Sequence, residues 1–258
     1  MADTVPAEVV RDEEEPKDRE LTKMSFLEHL EELRKRLIVS IIALMVGFLV
    51  CWGFADKIYG FLQAPLIKVL PKGEKLAYTR LTAPFFLYMK VAFFAGIFVA
   101  APIILLQLWL FIAPGLYKRE RRLAAPFIIG ASVCFLVGGW FGYRFLLPGM
   151  CGFFVETGKQ FHQVITIDDY YSFASTMILA TGAVFETPIL IFFLARLGIV
   201  TPAFLMQKFK YAVVLAFIIS AIVTPTPDMM TQTALALPMI GLYLIGVAVA
   251  YLFGRKVT

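Results

Sequence analysis

The sequence predicts an all-α integral membrane protein with six transmembrane helices and both termini in the cytoplasm. Its fifth and sixth helices are short or proline-interrupted, and a concave side faces the membrane. Three observations carry this. Of 258 residues, 60% are hydrophobic and only 17% charged, against about a quarter charged in an ordinary soluble domain. The apolar residues are bunched: 37–55, 91–112 and 234–253 each approach or exceed the roughly 20 residues that cross a bilayer. Lysine and arginine are also unevenly shared between alternate loops, with twelve on one side and seven on the other. The richer side includes Arg34, Lys35, Arg36, Lys118, Arg119, Arg121, Arg122, Arg255 and Lys256, so it is the cytoplasmic one and the span number is even.

Residues 1–23 hold eight acids and four bases, a net of −4, which leaves the remaining chain at +9. This segment lacks the basic start and apolar core of a secretory signal and is expected to be a disordered acidic cytoplasmic tail. Residues 24–256 then form one six-helix transmembrane domain.

A capping box, Ser25 with Glu28, opens "SFLEHLEELRKRL". Phe26, Leu30, Leu33 and Leu37 recur at helical steps, so an amphipathic helix leads into the first span, about 37–55. Glu31 with Lys35 and Glu32 with Arg36 stand in the favourable acid-first order of self-contained pairs. On spacing alone those pairs account for the charges.

Residues 56–82 are expected as an outer loop containing Pro65, and 83–114 as a second span with Lys90 snorkelling at its outer end. Gln107 is an intramembrane polar residue of that span. The loop "PGLYKRERRL" follows, in which Glu120 is ringed by bases. A third span runs from about 124 to 147, a mixed loop covers 148–171, and a fourth span covers 172–195.

The fifth span, Tyr211–Val223, has 13 residues, about 20 Å of helix against a core of about 30 Å. That shortfall implies local bilayer thinning or help from neighbours. Pro238 interrupts the sixth span, 234–253, which is preceded by a tight outer turn containing Asp228. Gln232, entering that span, is either internal glue or a docking point for another membrane helix.

Glu186 in "GAVFETPILIFFL" lies ten residues from Arg196, which is near mid-bilayer. A charged carboxylate there is costly, and an intramembrane ionisable group is a functional candidate. Pro188 cannot donate to the carbonyl of Val184, so a neutral Glu186 is expected to donate a hydrogen bond nearby, to a partner helix or to water.

Three scattered cysteines (Cys51, Cys134, Cys151) and two distant histidines (His29, His162) give a metal site little to work with. No phosphate-binding motif appears. No cofactor is expected, and no enzymatic role. An intramembrane protease would need a serine–histidine pair or two membrane aspartates, which the spans do not supply. The alternative function is a proton-coupled small-solute transporter using Glu186.

Five motifs in order, "HLEELRKRL", "APLIKVLP", "APIILLQLWLFIAPGLYKRERR", "FETP" and "TPTPDMMTQTALALP", resemble the TatC family, the polytopic core subunit of the twin-arginine protein translocase. The resemblance runs from about Ser25 to Lys256. One departure is Leu244 after Leu242-Tyr243, where the family often has glutamate.

The resemblance implies a protein of the bacterial inner membrane that binds the twin-arginine signal peptides of folded precursors. The expected signal-binding acids are Glu32 and Glu120, supported by Arg34, Phe111 and Arg122. It further implies assembly with other copies of itself and with the single-span subunits TatA and TatB near Thr224 and Gln232. It also implies energy from the proton-motive force, and no nucleic acid partner. Each carboxylate is suited to taking a planar guanidinium in a bidentate pair that lysine cannot reproduce.

Overall fold

The computed structural model describes residues 26–71, 74–112, 124–224 and 228–253. The acidic tail, Glu120 and Arg122 therefore lie outside the described residues. Within them the chain is helical, and the one extended pairing is an isolated bridge between Ala77 and Thr166.

The described residues form, in order, α1 (Phe26–Trp52), α2 (Ala55–Ile67), α3 (Ala83–Ile112), α4 (Ala124–Phe141), α5 (Leu147–Thr157), α6 (Ile167–Val184), α7 (Thr187–Arg196), α8 (Pro202–Gln207), α9 (Phe209–Val223) and α10 (Met229–Phe253). A π-helical segment, Gly142–Leu146, joins α4 to α5. Among the described residues, five stretches are long and apolar enough to cross a membrane: His29–Trp52, Ala83–Phe111, Ile128–Thr157, Ile167–Arg196 and Met229–Leu252. The shorter apolar helix α9 has 15 residues, about 22 Å.

Three expectations change. The outer loop after α1 contains a helix, α2, with Pro65 buried inside it. Proline has no N–H for the carbonyl four residues back, which here belongs to Phe61. That carbonyl accepts the Tyr143 hydroxyl at 2.8 Å, and the Phe61 and Tyr143 rings stack with centroids 4.2 Å apart. The tertiary partner supplies what the helix lacks, so local breaker chemistry does not end α2.

The third crossing also does not stop at Leu147. Its helix passes through the π segment into α5, ending at Thr157, with Pro148 directly after the π segment, a local change of helical winding of the kind that accommodates a proline inside a membrane helix. The last helix, finally, is continuous through Pro238 rather than interrupted by it.

The bundle packs α1 along α3, α4 against α6, and α10 against α7 and α9. Where α1 crosses α3, Gly47 meets Gly96 so closely that a Cβ added at Gly47 would sit 2.8 Å from the Gly96 carbonyl oxygen. Small residues at a membrane crossing let backbones approach in this way. The opposite face of α1, including Leu37, Ile41, Ile42, Val46 and Leu49, is exposed and apolar enough for hydrocarbon.

Under α2, a core of Leu62, Leu66, Leu147, Cys151, Tyr170 and Ala174 ties α2, α5 and α6 together. The Tyr170 hydroxyl donates to the Leu62 carbonyl at 2.7 Å. The Lys90 ammonium pairs with Asp168 at 2.9 Å, both side chains about half exposed, and the Lys90 carbonyl accepts the Tyr171 hydroxyl at 2.8 Å.

Candidate functional site

Residues from α1 and α3 converge near the start of α1 and the end of α3. The four-residue step from Glu32 to Arg36 puts both on one helix face, and Arg36 Nη2 reaches Glu32 Oε1 at 3.1 Å. From α3, Gln107 Oε1 accepts Arg36 Nη1 at 3.3 Å, and Gln107 is buried. One helical turn further along each helix, the His29 and Phe111 rings stack with centroids 4.5 Å apart and planes 24° from parallel. The site is thus a charged trio next to an aromatic pair, both bridging the two helices.

The carboxylate of Glu32 is half used. Its side chain is 15% exposed, and its second oxygen, Oε2, is shut off from solvent with no hydrogen-bond partner. The Nε of Arg36 is in the same condition. A buried acceptor without a donor is costly, and a planar guanidinium is the side chain that fills two carboxylate oxygens at once. The Glu31–Lys35 pair, at 2.9 Å, is a contrast: both side chains are well over half exposed, and such pairs contribute little.

Of the five expected signal-binding residues, the structure brings Glu32 and Phe111 into one place. Arg34 is exposed, and two residues along a helix from Glu32 it falls on the other side of α1, near Glu31. Glu120 and Arg122 are outside the described residues. Sequence reasoning placed Gln107 only as an intramembrane polar residue, without its link to Glu32 through Arg36. It also missed His29, for which no sequence signal was available: the stack joins residues far apart in the chain.

Glu186 marks a break. The fourth crossing is two helices, α6 and α7, with Phe185 and Glu186 at the joint. Pro188 sits in the first turn of α7, so its missing N–H is absorbed there, and Glu186 makes no hydrogen bond to Val184. Its Oε1 is buried without a partner. The carboxyl lies beside the Phe135 backbone and within electrostatic reach of Cys134, both on α4.

At the other end of the bundle, Asp228 caps α10. Its carboxylate accepts from the Thr231 backbone N–H at 2.8 Å and from the Thr231 hydroxyl at 2.6 Å. Thr224 is buried, and its hydroxyl donates to the Ser220 carbonyl at 2.9 Å. The Ser220 hydroxyl donates to the backbone carbonyl of Gln232 at 2.7 Å, which ties α9 to α10. The Gln232 amide is half-buried.

Comparison with known proteins gives a consistent result. The family model for TatC, "Sec-independent protein translocase protein", matches residues 28–238. A Sec-independent protein translocase protein TatC of Koribacter versatilis is 47% identical over 239 residues, covering 92% of this chain and 88% of that protein. Its counterpart in Escherichia coli K12 is 44% identical over 220 residues, 85% of each. A crystal structure of a twin arginine translocase receptor, TatC, superposes with a TM-score of 0.78 at 36% identity, over 88% of this chain and all of the other.

Proposed function

The chain belongs to the TatC family of Sec-independent protein translocases, and from that premise we propose that its α1–α3 site receives twin-arginine signal peptides at the cytoplasmic face. The protein is a multi-pass component of a protein translocase. The family assignment replaces the small-solute transporter alternative. In the reading we favour, the chain crosses the bacterial inner membrane six times as one domain, α9 being the short fifth crossing, with both termini in the cytoplasm.

One observation carries the site assignment: Glu32 offers an oxygen that is buried and without a donor, next to the aromatic surface of Phe111 and His29. An arginine entering there completes the carboxylate, and its apolar stem or a neighbouring side chain packs on the rings. Glu120 is the second acid, for the second arginine. Arg122 and Arg34 keep the approach positive and hold the acids apart from incidental cations. Once bound, a precursor is passed to the assembled translocase, in which other copies of this chain, TatA and TatB take part. TatA and TatB dock at the α9–α10 side, through Gln232 and the edge of Thr224. No nucleotide-binding motif is present in the sequence, and the proton-motive force drives the cycle.

The test is site-specific crosslinking of a twin-arginine precursor to the full chain in membranes, with Glu32→Gln and Glu120→Gln combined. The double variant is expected to insert normally and lose the crosslink. Undiminished crosslinking would overturn the assignment.

A further inference from the structure

We infer that Arg36 is a specificity-determining residue of this site: an internal guanidinium that occupies Glu32 until an incoming arginine displaces it onto Gln107. The inference rests on the signal-peptide reading above and deepens it.

The geometry is that of an incomplete pair. A guanidinium and a carboxylate at full strength form two parallel N–H···O bonds. Here a single bond joins them, Arg36 Nη2 to Glu32 Oε1 at 3.1 Å. The second nitrogen, Nη1, is drawn away to Gln107 Oε1 at 3.3 Å, while Arg36 Nε and Glu32 Oε2 have no partners although both are buried. An i, i+4 pair formed only to support α1 would not need an acceptor from α3, and the exposed Glu31–Lys35 pair forms without one. Gln107 is buried at 8% exposure, so its carboxamide oxygen is a fixed second acceptor for the guanidinium.

Two occupants therefore compete for one carboxylate, and their chemistry ranks them. An incoming arginine presents two N–H groups in a fork and fills both oxygens of Glu32. Arg36 then keeps one hydrogen bond, to Gln107. An incoming lysine presents a compact ammonium. It either leaves Arg36 in place, bringing two cations together, or displaces it and fails to fill both buried oxygens. Arg36 thereby weakens binding of both cations but penalises lysine more, a repulsive element that sharpens a preference the acid alone would hold loosely.

The experiment uses the full chain in nanodiscs and two synthetic signal peptides, one with the arginine pair and one with lysines in its place. Arg36→Gln is expected to tighten lysine-peptide binding by about tenfold and to shrink the ratio of the two dissociation constants. Gln107→Leu removes the second acceptor, so Arg36 settles on Glu32, and arginine-peptide binding weakens by about fivefold or more. Combining the two substitutions restores arginine-peptide binding, because no competitor remains. An unchanged ratio in Arg36→Gln, or a parallel loss for both peptides, overturns the inference. Glu32→Gln separates the two levels. If it binds both peptides as the unsubstituted chain does, the signal-peptide reading itself falls. If it binds neither while Arg36→Gln keeps the ratio, only the role of Arg36 falls.

Discussion

The Phe61 carbonyl, left without a helical donor by Pro65, accepts the Tyr143 hydroxyl at 2.8 Å. A proline in one helix and a tyrosine in a π segment about 80 positions away in sequence thus form one device, which holds α2 to the bundle. Tyr143→Phe keeps the ring stack but strands the carbonyl, at a cost of about 1–3 kcal/mol. The melting temperature in detergent should fall. Adding Pro65→Ala, which returns a backbone N–H to the Phe61 carbonyl, should recover part of the loss. A double variant no more stable than Tyr143→Phe alone would show that the hydroxyl is not replacing the missing helical donor.

Gly96→Val places a side chain where the nearest atom, the Phe48 backbone nitrogen, lies 2.8 Å from the new Cβ. Backbone cannot rotate aside as a side chain can, so the helices must separate, at roughly 1–3 kcal/mol. Because Glu32 is on α1 and Phe111 on α3, signal-peptide crosslinking should drop along with thermal stability. Normal crosslinking with unchanged stability would show that the crossing tolerates the extra volume.

Glu186 sits at the joint of α6 and α7 with Oε1 buried and unpartnered. If the neutral carboxyl acts as a hydrogen-bonding group for a partner helix or water, Glu186→Gln preserves that capacity and Glu186→Leu removes it. Export of a reporter precursor should be mildly reduced in the first and severely in the second. Equal, strong defects would point to a need for ionisation instead.

Tyr59, on α2 outside the spans, is almost wholly buried. Burial, with a smaller contribution from Tyr88, pushes its phenol up from 10.0 to about 12. The folded state thus holds this proton more tightly than the unfolded state does. Its contribution is fully present below pH 10 and is lost as pH rises towards 12. Tyr59→Phe should flatten that part of an alkaline stability titration. Since the buried hydroxyl has no hydrogen-bond partner, the variant should be no less stable at neutral pH. An unchanged alkaline slope would contradict the assignment.

The crossings themselves were legible in the sequence because twenty-residue apolar runs have few other uses, and even the shortness of α9 showed in the count. What the sequence concealed were the places where tertiary partners override local rules. Pro65 and Pro148 signalled loop, yet Tyr143 completes one helix and a π segment carries the other past its proline. The pairing of Glu32 with Arg36 could be read from its four-residue spacing. Its connection to Gln107 and the stacking of His29 on Phe111 could not, because each needs the register of α1 against α3. Gly47 and Gly96, spaced only by the fold, set that register.

That glycine contact also imposes an order of events during synthesis. Helix α1 packs principally along α3, so Gly47 has no seat until Gly96 has been made and inserted. At roughly 5–20 residues per second this interval is about 2–10 s, during which α1 stands alone in lipid with Arg36 separated from Gln107. The α1–α3 site proposed for recognition is therefore born late, assembled by the arrival of the second crossing and not by the first helix that carries its acid.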